Sequence, residues 1–135
     1  MTRQVESYIR VRYAETDAMG VAHHSSYLVW FEVGRSEYFR AIMGSGPNEF
    51  FQRHNLPVVE ARVRYFRPCL YDELIVVVTR LEEIRSRKVR FAYEARRDGE
   101  LLAEGWTVHV CTDLDGLACR LPDEIYRTLE KQREE

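Results

Sequence analysis

The chain has 135 residues, of which 45% are hydrophobic and 31% charged, and its formal net charge is −2. This length allows one domain with a hydrophobic core and is too short for two ordinary domains. The small net charge gives no indication of a nucleic-acid-binding surface. The densest apolar run, LIVVV at 74–78, is too short to span a bilayer. We therefore expect a single ordered domain over residues 1–135, with no membrane insertion and no nucleic-acid partner.

The three cysteines are odd in number and lack C-x-x-C spacing. This pattern argues against a disulfide framework or a zinc knuckle and favours a reducing compartment. The N-terminal residues do not show the basic and apolar regions of a signal peptide. We therefore expect a cytoplasmic location.

The first predicted elements are a strand and a long helix. Residues 5–13 alternate between apolar and polar side chains, which predicts a half-buried strand. From about Ser26, apolar residues recur at helical spacing until GSGP at 44–47, which is a stop signal. Ser25 or Ser26 is the candidate N-cap of this helix.

The second half of the chain predicts mostly strands. NEFFQRH at 48–54 indicates a short helical segment, and a terminal helix is expected over 122–131. Asp98-Gly99 between alternating runs is typical of a tight hairpin. We expect an α+β fold in which a meander of about four strands joins the first strand in an antiparallel sheet around the long helix. The four strands are predicted at 58–66, 74–81, 89–96 and 101–111.

Asp17 is the candidate catalytic residue, in a loop shaped by Gly20 just before the long helix. An ordinary aspartate is ionised near pH 7 and can act as a general base or a nucleophile. The unpaired N–H groups of a helix start can polarise a carbonyl and hold an oxyanion. Spacing alone leaves open a second interpretation, in which Asp17 only supports the loop or caps the helix.

Histidines do not form a recognisable metal motif in this sequence. His23 and His24 are adjacent, and adjacent histidines rarely converge on one ion. His54 and His109 lie in separate segments. Neither H-E-x-x-H spacing nor the glycine patterns of dinucleotide and P-loop sites occur. We therefore expect no metal and no cofactor.

Basic residues cluster at 62–67 and in the predicted turn at 85–88. Such a turn can hold a phosphate-bearing ligand, although charged hairpin tips are more often simply solvated. The first cluster contains Arg62, Arg64 and Arg67, and the second contains Arg85, Arg87 and Lys88.

Two segments carry a family resemblance that covers nearly the whole chain. VRYAETDAMGVAHHSSYLVWFEVGRSEYFR at 11–40 resembles the signature of hotdog-fold acyl-CoA thioesterases of the 4-hydroxybenzoyl-CoA thioesterase-like family. The closest branch is the one associated with the bacterial Tol–Pal gene cluster. VRYFRPCLYDEL at 63–74 resembles the family's strand, proline bend and acidic turn.

The resemblance implies an antiparallel sheet around a central helix, and a homodimer or dimer of dimers (a homotetramer) with active sites at the subunit interface. It implies that Asp17 attacks the thioester carbonyl or activates water, and that N–H groups near His24 polarise that carbonyl. We expect Asp17 and His24 to be catalytic. The expected substrate-binding residues are Gly20, Val21, His23, Ser25, Tyr27, Arg64, Arg85, Arg87 and Lys88, the last three of them for the phosphates of CoA.

The expected function is hydrolysis of an acyl-CoA thioester to a carboxylate and CoA. A thiolate leaves readily, so one carboxylate and an oxyanion-binding helix start can suffice without a serine triad. The alternatives are a non-catalytic module that binds acyl-CoA or acyl carrier protein, and a hotdog dehydratase. Glu32 and Glu37 are expected to be structural partners of Arg35 or of neighbouring loops.

Overall fold

The computed structural model describes residues 3–44 and 49–134. Its three α-helices are α1 (Ser26–Met43), α2 (Glu49–Arg53) and α3 (Asp123–Glu134). Its strands are β1 (Gln4–Arg10), β2 (His54–Asn55), β3 (Val58–Tyr65), β4 (Leu74–Ile84), β5 (Lys88–Arg97), β6 (Glu100–Val110) and β7 (Thr112–Asp113). Gly44 follows α1 as predicted, and the rest of the GSGP stop signal lies outside the described residues.

The main sheet has five antiparallel strands in the order β1-β4-β5-β6-β3. The predicted α+β fold with a long helix against an antiparallel sheet is confirmed, but the predicted four-strand meander is wrong. Only β4, β5 and β6 are sequential neighbours, because β3 pairs with β6 at the far edge. The connection 66–73 crosses the end of the sheet: the Phe66 N–H binds the Leu102 carbonyl, and the Asp72 N–H binds the Val11 carbonyl beside β1.

The aromatic face of α1 packs against the sheet. Tyr27, Trp30, Phe31 and Tyr38 are each at most 2% exposed. The Phe31 ring stacks on Tyr93 of β5, with centroids 4.5 Å apart and an interplanar angle of 4°. Burial of these large side chains is the main favourable contribution to folding here. The helix therefore holds one orientation relative to the sheet, and its N-terminus is fixed with it.

Two details differ from the sequence-based expectations. Tyr13 is 78% exposed because β1 ends at Arg10 and Tyr13 lies in a 3₁₀ turn. Arg35 donates a hydrogen bond to the Tyr93 hydroxyl at 3.1 Å. No ion pair joins Arg35 to the predicted partners Glu32 and Glu37 within residues 3–44 and 49–134. The reason is that Arg35 points toward the sheet, whereas Glu32 is exposed.

The hairpin between β5 and β6 agrees with its local sequence pattern. Asp98 and Gly99 both have positive φ, at 50° and 81°, as a tight two-residue hairpin between β5 and β6 requires. None of the helices in the described ranges is long and apolar enough to cross a membrane.

Gly34 allows α1 to approach β4 closely, and this contact gives a stability prediction. A Cβ at position 34 would collide with Thr79 Oγ1 and come within 3.0 Å of Val77 Cγ1. We expect Gly34→Ala to lower the free energy of unfolding by about 1–3 kcal/mol, measured by urea denaturation. Ser36→Ala, an exposed change on the same helix, is the control and should change stability little. Equal urea midpoints for wild type and Gly34→Ala would contradict the close packing.

Candidate active site

Glu15 joins the loop after β1 to the start of α1. Its carboxylate accepts hydrogen bonds from the Arg12 backbone N–H at 2.8 Å and from the Trp30 indole at 2.9 Å. Its carbonyl accepts the His23 N–H at 2.7 Å and the Ser26 hydroxyl at 3.0 Å. A single buried residue therefore positions both ends of the loop that contains Asp17.

The Glu15 carboxyl group titrates below its ordinary range. Burial raises its pKa, but hydrogen bonds from the Arg12 backbone, the Trp30 indole and the Arg12 guanidinium more than offset this, and the net effect lowers the pKa. Glu15 is therefore ionised at neutral pH and fully engaged with donors. This makes it a structural carboxylate.

Asp17 lies at the start of a tight turn. Its Oδ1 accepts the Met19 N–H at 2.8 Å and the Val21 N–H at 3.4 Å. The turn is closed by the Gly20 N–H, which donates to the Asp17 carbonyl at 3.0 Å, and Gly20 has φ +81°, a conformation that favours glycine. Oδ2 of Asp17 has no hydrogen-bond partner in the described part of the chain. One oxygen thus fixes the side chain, while the other is available for chemistry.

The start of α1 lies directly after the paired histidines. Ser25 occupies the N-cap position, but its side chain does not cap the helix; its Oγ lies 2.8 Å from His23 Nδ1. The Ser25 N–H donates to His23 Nδ1, and the Ser26 N–H donates to the His23 carbonyl. Among the described residues, the His24 N–H has no acceptor. His24, and not Ser25 or Ser26, therefore offers a backbone donor at this helix start.

A pocket of about 350 Å³ contains both Asp17 and His24. Of the predicted substrate-binding residues, Val21 and Tyr27 also line this pocket, and Gly20 shapes the loop at its rim. The predicted substrate-binding set did not include the remaining lining residues, which are Met19, Ala22, Tyr65, Phe66, Arg67 and Pro68. Residues 65–68 lie in the stretch at 63–74 that resembles the family, so this resemblance could have identified them as pocket residues.

Two tyrosines form one wall of the pocket. The Tyr65 hydroxyl donates to the His24 carbonyl at 2.7 Å, and its ring meets Tyr27 edge to face with centroids 5.1 Å apart. The Tyr27 hydroxyl lies 3.4 Å from Cys69 Sγ. Burial raises the pKa of both tyrosines and of the Cys69 thiol. All three groups are therefore neutral near pH 7, and Asp17 is the acidic residue among those that line this pocket.

The four basic residues predicted to bind substrate lie away from the pocket within one chain, whereas Arg67 of the first basic cluster lines it. Arg10 pairs with Leu74 at the start of β4, so the Asp17 loop lies at that end of the strand. The turn containing Arg85, Arg87 and Lys88 follows the other end of β4, an 11-residue strand that spans roughly 30 Å. Arg64 lines a separate hollow beside Trp106. His23 and Ser25 bind each other and are not part of the pocket lining in the described structure.

Other proteins are similar to this chain in sequence and in fold. A family model described as the thioesterase-like superfamily matches residues 11–129. The chain belongs to this superfamily. The solved structure of the hypothetical protein TT1821 from Thermus thermophilus superposes with a TM-score of 0.89 at 39% identity and covers 97% of this chain and 98% of its own.

Two relatives of this thioesterase-like chain carry names that state an activity. The DHNA-CoA thioesterase from Staphylococcus aureus superposes with a TM-score of 0.85 at 31% identity, covering 96% of this chain and 87% of its own. The acyl-CoA thioesterase YbgC of Haemophilus influenzae is 29% identical over 107 residues, which are 78% of this chain and 79% of that protein. The predicted hotdog fold and the predicted enzyme class, a thioester hydrolase, are confirmed.

The lowered pKa of Glu15 gives a pH-dependent stability prediction. A carboxylate whose folded pKa is depressed contributes stability above its unfolded pKa, about 4.3, and that stability is lost as pH falls through the folded pKa. We expect Glu15→Gln to be less stable than wild type at pH 7, with the difference shrinking toward pH 3. Urea denaturation across this pH range measures both. Glu130→Gln, an exposed change on α3, is the control, and a pH-independent difference for Glu15→Gln would contradict the assignment.

Proposed function

We propose that residues 1–135 act as one thioesterase domain that hydrolyses an acyl-CoA thioester to a carboxylate and CoA. The observation that carries this proposal is the shared pocket of Asp17 and the start of α1. The available Oδ2 of Asp17 supplies the attacking or proton-accepting group. The His24 N–H and the first turn of α1 supply donors for the thioester carbonyl oxygen.

The reaction has two routes that use the same geometry. In one, Oδ2 attacks the thioester carbonyl, the C–S bond breaks, and water then hydrolyses the acyl-aspartate anhydride. In the other, Asp17 accepts a proton from water, which adds to the carbonyl before the C–S bond breaks. In both, the CoA thiolate leaves and takes up a proton. The negative charge on the carbonyl oxygen develops where the helix start offers N–H donors, so the transition state is stabilised more than the substrate.

The pocket walls favour an apolar acyl group. Val21, Tyr27, Tyr65 and Phe66 present aliphatic and aromatic surface beside Asp17. The names of the Staphylococcus and Haemophilus relatives support a CoA thioester as the substrate class. The identity of the acyl group, the use of acyl carrier protein and membership in the Tol–Pal-associated branch remain predictions from the sequence resemblance.

We propose that two chains associate through β3 and that each site is completed at this joint. β3 is an edge strand, and unpaired edges are sites of strand addition. Val59 and Tyr65 on β3 are 56% and 44% exposed, and Leu28 and Val29 on α1 are 40% and 49% exposed. Tyr65 also lines the pocket, and a joint at β3 would cover the exposed apolar side chains of this strand.

Association would also allow basic residues that lie outside the pocket of one chain to contact a substrate bound by its partner. We propose that Arg64 and the turn residues Arg85, Arg87 and Lys88 act on CoA phosphates in the assembled homodimer or dimer of dimers. A cytoplasmic location is consistent with three cysteines that are all free thiols.

Asp17→Asn tests the catalytic assignment. Asparagine keeps a side-chain oxygen for the Met19 N–H but cannot act as a nucleophile or a base. We expect hydrolysis of acyl-CoA thioesters to fall by about 10² or more, measured as CoA release with a thiol reagent, while the fold is retained. Asp98→Asn, the same change at an exposed hairpin, is the control and should keep wild-type activity.

The results of these assays distinguish a thioesterase from a dehydratase and from a binding module. Full activity of Asp17→Asn would remove Asp17 from the chemistry. Formation of an enoyl thioester from a 3-hydroxyacyl-CoA without CoA release would favour a dehydratase. Acyl-CoA binding by the wild type without turnover of any thioester in the panel would favour a binding module.

Val59→Arg tests the proposed dimer. A charge at this exposed apolar position is tolerated by the monomer but would be buried without a partner at a β3 joint. We expect the dimer to weaken by at least about tenfold and activity to fall with it, measured by light scattering and CoA release across a concentration series. Tyr8→Arg, at a 62% exposed position on the opposite edge strand, is the control. A dimeric, fully active Val59→Arg would place the interface elsewhere.

A further inference from the structure

Two thiols meet in a hairpin far along the chain from the pocket residues. Cys111 and Cys119 lie on the two arms of this hairpin, and the Cys119 N–H donates to the Cys111 carbonyl at 2.9 Å. A bridge between Thr112 and Ala118 holds the arms in register. The two Sγ atoms are 3.4 Å apart. The thiols are thus brought side by side by main-chain pairing.

The imidazole of His54 lies beside the two thiols, although it comes from a different part of the chain. β2 pairs antiparallel with β7, and His54 lies opposite Asp113 in this pairing. One ring nitrogen of His54 and the Sγ atoms of Cys111 and Cys119 all lie within 4.8 Å of one another. Sequence reasoning treated these residues as unrelated, because only the β2–β7 pairing brings them together.

The His54 ring is held in a defined orientation. Its Nδ1 lies 3.3 Å from the Phe50 carbonyl, and the ring stacks on Phe50 with centroids 5.0 Å apart and an interplanar angle of 6°. A ring N–H that donates to a backbone carbonyl is the usual arrangement behind a metal-binding histidine, since it fixes the tautomer and leaves the other nitrogen as a ligand. Nε2 is the nitrogen left available by this contact.

We propose that Cys111, Cys119 and His54 form a binding site for a zinc-like divalent cation, with a fourth coordination position open to water. Thiolate and imidazole are the ligands that Zn²⁺ prefers in proteins. Tetrahedral coordination with Zn–S bonds of about 2.3 Å places two sulfurs roughly 3.8 Å apart. The observed 3.4 Å separation therefore needs only a small adjustment of side-chain torsions.

The partial exposure of two of the three side chains leaves an entry path for the ion. Cys111 is fully buried, whereas His54 and Cys119 are partly exposed. The three residues lie directly after β6, on the returning arm of the hairpin and in β2. A bound ion would connect these three segments, so we expect it to act as a structural cross-link, independent of hydrolysis at the Asp17 pocket.

Cobalt titration of the full-length, reduced and chelator-treated protein tests the site. We expect about one Co²⁺ per chain, a thiolate-to-cobalt charge-transfer band, the intense visible bands of tetrahedral Co²⁺, and displacement by Zn²⁺. Zn²⁺ should also raise the Tm. Cys119→Ser and His54→Gln should lose the charge-transfer band or weaken binding at least about tenfold, because each removes one ligand. Cys69→Ser removes the third cysteine of the chain and should bind Co²⁺ like the wild type.

A second measurement uses only the wild-type protein, because a serine variant could fail to fold. Zn²⁺ should slow alkylation of Cys119 in a peptide-resolved iodoacetamide experiment, while a chelator should restore the rate. The absence of a charge-transfer band in the folded wild type would overturn the proposal, as would its loss in Cys69→Ser alone. A Cys111–Cys119 disulfide in the purified protein, combined with no metal binding after reduction, would replace the metal site with a redox pair.

Discussion

The buried carboxylate of Glu15 is the constraint on which the geometry of the pocket depends. It binds the Arg12 main chain before the 3₁₀ turn and the Trp30 indole within α1, while its carbonyl binds His23 and Ser26. A charged group removed from water must be paired and hydrogen-bonded, so these contacts leave little freedom in the loop. These contacts tie the loop that contains Asp17 to the start of α1.

The two acidic residues of the loop therefore have different properties. Glu15 has its charge satisfied by surrounding donors, and this lowers its pKa and removes it from chemistry. Asp17 uses one oxygen to hold the turn, the other has no hydrogen-bond partner among the described residues, and the residue lines the pocket. The two interpretations of Asp17 left open by the sequence are compatible, because a carboxylate has two oxygens. On the proposed function, the turn that Asp17 supports is also what orients its reactive oxygen.

The sequence predicted features that depend on local periodicity, and it missed those that depend on tertiary pairing. The long helix, the Asp98-Gly99 hairpin and the loop containing Asp17 follow from short-range patterns. The position of β3 beside β6 does not, because β3 carries no residue pattern that distinguishes one sheet neighbour from another. The role of Tyr65 was missed for the same reason, since its wall position follows from the placement of β3. The cluster of His54 with Cys111 and Cys119 likewise requires the β2–β7 pairing.

The placement of β3 has a consequence for the proposed enzyme. Tyr65, at the end of this strand, holds the His24 main chain and forms the pocket wall, yet it remains 44% exposed. The same edge carries open backbone groups and exposed apolar side chains. A hydrolytic site with a single carboxylate depends on excluding bulk water to strengthen its electrostatic interactions. Covering this edge with a second chain would exclude that water, so association and catalysis are expected to depend on the same strand.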